Sequence, residues 1–392
     1  MTTAYIVSAL RTAGGRRNGR LSGWHPVDLA AQVLDALLDR SGADPALVDD
    51  VILGCVMQVG EQAVNVARNA VLASRLPESV PATSIDRQCG SSQQALHFAA
   101  QAVMSGTMDV VIAAGVESMT RVPMGSSAAL AAKAGLGHYM SPEIRKRYGD
   151  TEFSQFTGAE MMARKYGLSR GALDAYALES HARAAAATRA GQFRDEVLPV
   201  AVRVADGSGE GLHTVDEGIR FDTSLEAIAS VKLLSEDGVI SAANASQICD
   251  GASGVMVASE RGLKALGAKP LARIHHLSVL GHDPVIMLEA PIPATERALR
   301  KTGLRIDDID LFEVNEAFAS VPLAWLAATS ADPAKLNVNG GAIALGHPLG
   351  ASGTKLTATL VHALRRTGGR YGLQTMCEGG GMANVTIFES MA

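Results

Sequence analysis

Three residues in glycine-rich surroundings carry the chemical interest of this sequence. Cys89 sits in Asp86-Arg87-Gln88-Cys89-Gly90-Ser91-Ser92, between an apolar stretch and a long Ala-rich helical pattern. Cys377 sits in Thr375-Met376-Cys377-Glu378-Gly379-Gly380-Gly381, where a strand-like run meets three consecutive glycines. Between them comes His347, in the turn Gly346-His347-Pro348. A thiol that attacks, a second thiol that carries a proton and an imidazole that serves both would make an acyl-transfer site. A helix N-terminus presents free N–H groups and the positive end of a dipole, so Cys89 is expected to have a lowered pKa. A lone cysteine is more often a buried packing residue, but the strand-to-helix turn favours the chemical role. The glycines after Cys377 let the backbone approach closely and aim N–H groups into a cavity.

The role of His347 is open between a general base and an N–H donor to a developing oxyanion. Its surroundings have the spacing of a phosphate-binding loop from Gly341 onward, but His347 stands where the loop needs Lys and Pro348 where it needs a hydroxyl, so that reading fails. Asn315-Glu316 follows an apolar run directly, and either caps a helix or holds a catalytic water. Cys55 and Cys249 read as buried packing residues. The four cysteines are far apart without a C-x-x-C pair, which argues against zinc and against a disulfide framework.

The elements that position these residues follow from pattern. A chain of 392 residues suggests two or three domains. It is rich in Ala, Val, Leu and Gly and poor in aromatics, as α/β folds with close helix–sheet packing are. Val48-Asp49-Asp50-Val51-Ile52-Leu53-Gly54 reads as a turn feeding a buried strand, and Ile306-Asp307-Asp308-Ile309-Asp310-Leu311-Phe312 has the same form. Each is followed by a chemically marked turn, a helix (Gln93 to Met104, Thr354 to Arg365) and an apolar strand (Val110 to Ala114, Gly372 to Met376). Two such βαβ halves predict a duplicated, largely parallel sheet with its site at the carboxyl ends of strands. The middle, 120–250, breaks the pattern with helices at 158–166 and 170–190 and a flexible turn at 206–211, and reads as an insertion over the site.

The net charge of −5 is modest and the basic residues are scattered, so nucleic-acid binding is not expected. The cluster Arg16-Arg17-Asn18-Gly19-Arg20 is most simply a solvated loop. No signal peptide, membrane span or peroxisomal tripeptide is read, and a cytoplasmic protein is the expectation.

Taken together, Asp86-Arg87-Gln88-Cys89, Asn244-Ala245-Ser246, Asn315-Glu316-Ala317-Phe318, Gly346-His347-Pro348 and Cys377-Glu378-Gly379-Gly380 resemble the thiolase family, in order and over almost the whole chain. The extended matches look most like bacterial acyl-CoA acetyltransferases of degradative pathways. The resemblance implies a duplicated five-layered α-β-α-β-α sandwich. Its N-terminal half would be 1–119 with 251–268, its C-terminal half 269–392, and 120–250 an inserted loop domain that binds coenzyme A. It implies ping-pong cleavage of a 3-oxoacyl-CoA through acyl-Cys89, with His347 activating Cys89 and Cys377 protonating the acetyl-CoA enolate. One oxyanion hole would be His347 with a water held by Asn315, the other the N–H groups of Cys89 and Gly379. Ser246 and Arg220 would contact coenzyme A, a co-substrate beside which no permanently bound cofactor is implied. A homodimer or homotetramer is implied, and no membrane partner.

Three departures stand out. Ser92 replaces a glycine common after the nucleophile, Ser154-Gln155 stands where many members have His-Met, and Met287-Leu288-Glu289-Ala290-Pro291 replaces a more glycine-rich border of the acyl pocket. The rival readings are a biosynthetic acetoacetyl-CoA-forming thiolase, a ketoacyl synthase-like condensing enzyme and a non-catalytic acyl-CoA-binding scaffold. The second cysteine argues against the condensing enzyme, and retention of Cys89, His347 and Cys377 against the scaffold.

Overall fold

The computed structural model describes Thr2–Met391. Met1 and Ala392, at the two chain ends, lie outside the described residues. The first half contains β1 (Tyr5–Thr12), α1 (Pro26–Ser41), β2 (Asp50–Gly54), α2 (Val66–Ala73), β3 (Ala82–Ile85), α3 (Ser91–Ser105) and β4 (Val110–Ser118). After a long excursion containing α4 (Gln155–Lys165) and α5 (Arg170–Arg189), β5 (Cys249–Ala258) completes its sheet. The second half contains β6 (Ala272–Gly281), α6 (Pro291–Thr302), β7 (Leu311–Val314), α7 (Ser320–Thr329), α8 (Ala342–Leu345), α9 (Ser352–Thr367), β8 (Tyr371–Glu378) and β9 (Met382–Ser390).

The strand orders show the duplication. The first sheet runs β3-β2-β4-β5-β1, and the second runs β7-β8-β9-β6 with Leu336 bridging to Phe312 in the place that β3 takes in the first. The sheets meet edge to edge where Tyr5 pairs with Arg273 and Ile6 with Ala272. One hydrogen-bond device recurs. Asp49 Oδ2 accepts from the N–H groups of Asp109 and Val110 at 2.7 and 2.9 Å, and Asp310 Oδ2 accepts from those of Arg370 and Tyr371 at the same two distances. The partner of Asp49 is therefore Asp310, three residues beyond the Asp307 that the matching strings pair with it. The sheets are mixed, a departure from the largely parallel expectation. β2 lies parallel to β3 and β4, but β5 is antiparallel to β4 and β1. The turn 379–381 is too short for a crossover, so β9 must return antiparallel to β8.

α3 and α9 lie between the two sheets, where Leu96, Ala99 and Leu360 pack against Ile52, Val111 and Val255 of one sheet and Leu311 and Phe388 of the other. α1 and α2 cover the outer face of the first sheet. α6 and α7 cover the second, joined by Met162, Leu173 and Tyr176 of the excursion. The layers are thus α-β-α-β-α. The two middle helices approach so closely that a Cβ on Gly353 would lie 2.0 Å from the Gln93 nitrogen. Ser92 uses its hydroxyl at this crossing, accepting from the Thr354 N–H at 3.0 Å. No described helix is long and apolar enough to cross a membrane.

Candidate active site

Cys89 stands in the turn between β3 and α3, two residues ahead of the first helical residue. Gln88 before it has φ +48°, the left-handed region that a Cβ resists. The turn is held closed by hydrogen bonds: Asp86 Oδ1 accepts the Gln88 N–H at 2.7 Å, and the Ser91 hydroxyl donates to Gln88 O at 2.6 Å. This fixes Cys89 among Met57, Val122, Leu349 and Met376, where it is only 9% exposed. The expected lowering of its pKa is overturned. Burial pushes the thiol up to about 12, with the Glu378 carboxyl adding to the rise, although the N–H groups of Cys89 itself and of Gly379 pull it down. Desolvation of a thiolate outweighs the helix terminus because burial strips most of the water that would solvate the charge.

Cys377 comes from the other half, near the end of β8, and is fully buried. Its thiol is also held far above the ordinary range, first by burial and then by the nearness of Cys89. The two cysteines therefore share one site, and the turn after Cys377 supplies the Gly379 N–H directed at Cys89. A Cβ on Gly379 would meet Gln88 Oε1 at 2.9 Å, so the two turns are in close contact.

His347 is buried, 3% exposed, and burial with the nearby Lys355 charge lowers its pKa to about 3. It is a neutral imidazole at working pH. Its Nδ1 lies 2.5 Å from Ser352 Oγ, and that hydroxyl donates to Pro348 O at 3.0 Å. A hydroxyl has one proton to give, so Nδ1 carries the hydrogen and Nε2 presents a lone pair. Asn315 Nδ2 lies 3.5 Å from Nε2, and Asn315 Oδ1 is buried with no partner, an acceptor free for a small polar ligand or water. Below the turn, Lys355 Nζ donates to Leu345 O and Gly346 O, fixing the carbonyls that lead into His347.

The Asn-Glu pair resolves into two roles. Asn315 faces His347, whereas Glu316 accepts from Tyr176, Ser180, Asn337 and the Ile343 N–H, and so ties α5 to the first turn of α8. The reading as a helix-terminal device holds for Glu316, at a helix other than the one that follows it.

Ser246 is half-buried on a segment threaded between these motifs. Its N–H donates to Ala317 O at 2.9 Å, Ala319 N–H donates to Asn244 O at 2.8 Å, and His347 N–H donates to Gln247 O at 3.1 Å. Arg220 is exposed, lining a small surface depression with His181, Ile228 and Ala243. It lies at the edge of the excursion and touches none of the buried site residues by hydrogen bond. Met287 is buried with φ +53° in the same apolar cluster as Cys377 and Phe318. Its segment is anchored by Glu289, which accepts from Tyr166 and Lys165 of the excursion, both at 2.6 Å. Ser154 caps α4, and Gln155 Nε2 approaches Met124 Sδ. Cys249 and Cys55 are buried packing residues as read.

Sequence reading missed Ser352, Lys355 and Glu378. Ser352 is the first residue of α9, where a hydroxyl reads as a cap. Its spacing of five residues after His347 was the available signal. Glu378, a carboxylate inside an apolar strand end, was visible as an anomaly.

Comparison with known proteins agrees with this geometry. The thiolase N-terminal domain model matches residues 4–261 and the thiolase C-terminal domain model residues 268–390. The steroid 3-ketoacyl-CoA thiolase FadA6 of Mycobacterium tuberculosis is 55% identical over 396 residues, covering 100% of this chain and 95% of its own. A 3-ketoacyl-CoA thiolase of Bacillus subtilis is 40% identical, covering 99% of this chain and 100% of its own. The crystal structure of human mitochondrial 3-ketoacyl-CoA thiolase superposes with a TM-score of 0.89 at 38% identity, covering 100% of this chain and 99% of that one. With two family models spanning nearly its full length, the chain belongs to the thiolase family and is an acyltransferase.

Proposed function

We propose that the protein cleaves a 3-oxoacyl-CoA with coenzyme A in a degradative pathway, through an acyl group carried on Cys89. The observation that carries this reading is the meeting of two cysteines from opposite halves, with the Gly379 N–H on Cys89 and a neutral imidazole tied to Ser352 and Asn315. His347 Nε2 takes the proton of Cys89 as sulfur adds to C3 of the substrate. The same nitrogen, now N–H, turns donor, which reconciles the base and oxyanion-donor readings in sequence. Breaking the C2–C3 bond leaves the electron pair on the acetyl-CoA enolate, which Cys377 protonates. His347 Nε2–H returns its proton to the Cys377 thiolate, and the neutral nitrogen then takes the coenzyme A thiol proton as that sulfur attacks acyl-Cys89. The N–H groups of Cys89 and Gly379 stabilise the tetrahedral oxyanion. Its collapse breaks the bond to the Cys89 sulfur, which takes the proton back from His347. Losing one such donor typically costs about 10²–10³ in rate.

Neutral cysteines suit this cycle. A thiol held protonated by burial and an imidazole held neutral by it do not form an ion pair in the empty site, so the proton passes to His347 together with the addition of sulfur to the substrate. Coenzyme A enters as co-substrate over the 120–250 insertion, with Ser246 beside the pantetheine and Arg220 toward the nucleotide, and no permanently bound cofactor is needed. Residues 1–119 with 251–268 and residues 269–392 form the two catalytic halves. Met287 borders the acyl pocket. The name of the 55%-identical relative supports a ring-derived or otherwise bulky acyl group. We assign the cytoplasm as the compartment and a homodimer or homotetramer as the working form. The test is coenzyme A-dependent thiolysis across a panel of linear and ring-bearing 3-oxoacyl-CoA thioesters. Preference for the ring-bearing members is expected, and turnover of acetoacetyl-CoA alone would favour the biosynthetic reading.

A further inference from the structure

Glu378 has no part in the cycle above, yet it lies beside both cysteines. It is fully buried, and neither carboxyl oxygen has a hydrogen-bond partner. Asn384 Oδ1, one strand away on β9, is a third buried acceptor without a donor. These atoms converge on one point. A Cβ on Gly90 would lie 2.0 Å from Glu378 Oε1 and 2.6 Å from Asn384 Oδ1. The Asn384 amide is oriented from its other side, where Nδ2 donates to Gln94 Oε1 and faces His97 Nδ1, both at 3.2 Å. Its oxygen therefore faces the carboxyl.

Acceptor oxygens gathered without a donor are costly, and an ionised carboxylate there would be more so. One proton removes the conflict, since a carboxylic acid O–H can donate to Asn384 Oδ1. We propose that Glu378 works as a neutral carboxylic acid, its O–H donating to Asn384 Oδ1, and is a positioning residue that seats the Cys89 turn on the β8–β9 hairpin without a negative charge beside the nucleophile. This rests on Cys89 being the nucleophile.

The charged and titratable groups around it are few. Asp86, Arg87 and Cys89 face it from the β3–α3 turn, His97 stands behind Asn384 on α3, and Cys377 precedes it on its own strand, pointing to the opposite face. Arg87 is the sole cation among them, and its Nε is itself buried without a partner. Burial holds the carboxyl well above the usual carboxylate range, against the pull of Arg87 and of the Asn384 N–H, which lies near the carboxyl but outside hydrogen-bond geometry. Once ionised, Glu378 opposes the Cys89 thiolate. Gly90 is required because any side chain there would occupy the place of the two oxygens.

A carboxyl whose folded pKa is raised adds full stability below its unfolded pKa and loses it as pH rises toward the folded value. Glu378→Gln keeps the shape and a donor for Asn384 but cannot ionise. The experiment is thermal unfolding of wild type and Glu378→Gln from about pH 4 to about pH 8, where the unfolded carboxyl passes from largely protonated to ionised. The variant is expected to melt higher than wild type at the alkaline end, with the difference vanishing at the acid end. A variant that melts lower at the alkaline end would mean that an ionised Glu378 holds Arg87, and overturns the proposal; so does a difference that ignores pH. Glu378→Met, a second side chain without charge, covers a failure of Glu378→Gln to fold. Alkylation of Cys89, read by peptide mass, supplies the functional arm and does not depend on turnover. Above the Glu378 pKa, Cys89 should label faster in Glu378→Gln than in wild type; superimposable profiles overturn the link to Cys89. Loss of thiolysis with these results intact would count against the catalytic reading alone.

Discussion

Replacing Ser352 by Ala removes a single buried hydroxyl that is engaged by His347 and Pro348, and the structure says how much that should matter. Ser352 Oγ accepts from His347 Nδ1–H and donates its own O–H to Pro348 O. Without it, Nδ1–H is buried without a partner, which costs about 1–3 kcal/mol. The imidazole escapes this cost by moving its hydrogen to Nε2, where a half-turn of the Asn315 amide, whose Nδ2 now lies 3.5 Å away, brings the unpartnered Oδ1 round to accept it. That tautomer has no lone pair at the nitrogen meant to take the Cys89 proton. Holding the working tautomer against a preference of about 1.4–2.8 kcal/mol lowers the rate by roughly 10–100-fold. The loss should fall on kcat and kcat/KM alike, since the hydroxyl is engaged by His347 and Pro348. The assay is steady-state thiolysis of Ser352→Ala beside Ser352→Thr, which keeps the hydroxyl and should recover most of the rate. Wild-type kcat in Ser352→Ala, with the fold intact, would refute the reasoning.

Because burial holds the Cys89 thiol near 12, the thiolate fraction grows about tenfold per pH unit, so iodoacetamide labelling of the free enzyme should climb from about pH 7 to about pH 10 without levelling. A plateau near the ordinary thiol range would contradict this. Cys377→Ala should abolish carbon–carbon cleavage while acyl exchange between acyl-Cys89 and coenzyme A survives, measured with labelled coenzyme A; equal loss of both half-reactions counts against separate roles. Lys355→Met should cost about 3 kcal/mol in denaturant unfolding, because Asp216, Leu345 O and Gly346 O lose a buried cation. A change under about 0.5 kcal/mol would show that the ion network is not needed for the His347 turn.

Much of this was legible in the sequence where chemistry and local pattern agree. The glycine turns around Cys89, His347 and Cys377, the repeated strand–helix–strand plan and the inserted helices each fold within a few residues of their expected bounds. What pattern could not give was environment. Helix-terminal placement predicts an acidic thiol, but only packing by Met57, Leu349 and Met376 from three separate segments reveals the desolvation that reverses it. The pairing of Asp49 with Asp310 was missed by three positions, because similar strings need not share hydrogen bonds. Likewise the antiparallel return of β9 depends on a turn too short to cross the sheet, which strand propensity alone does not register. Ser352 gains its meaning only once the start of α9 folds back on His347.

The central claim is that the acyl group travels on Cys89. Wild-type protein mixed with a 3-oxoacyl-CoA carrying a label in its acyl chain, quenched in acid before coenzyme A is added and digested, tests it most directly. Label on the peptide containing Cys89, absent in Cys89→Ser and released by coenzyme A, is the predicted result. Label on the Cys377 peptide, or thiolysis that persists in Cys89→Ser, would contradict it.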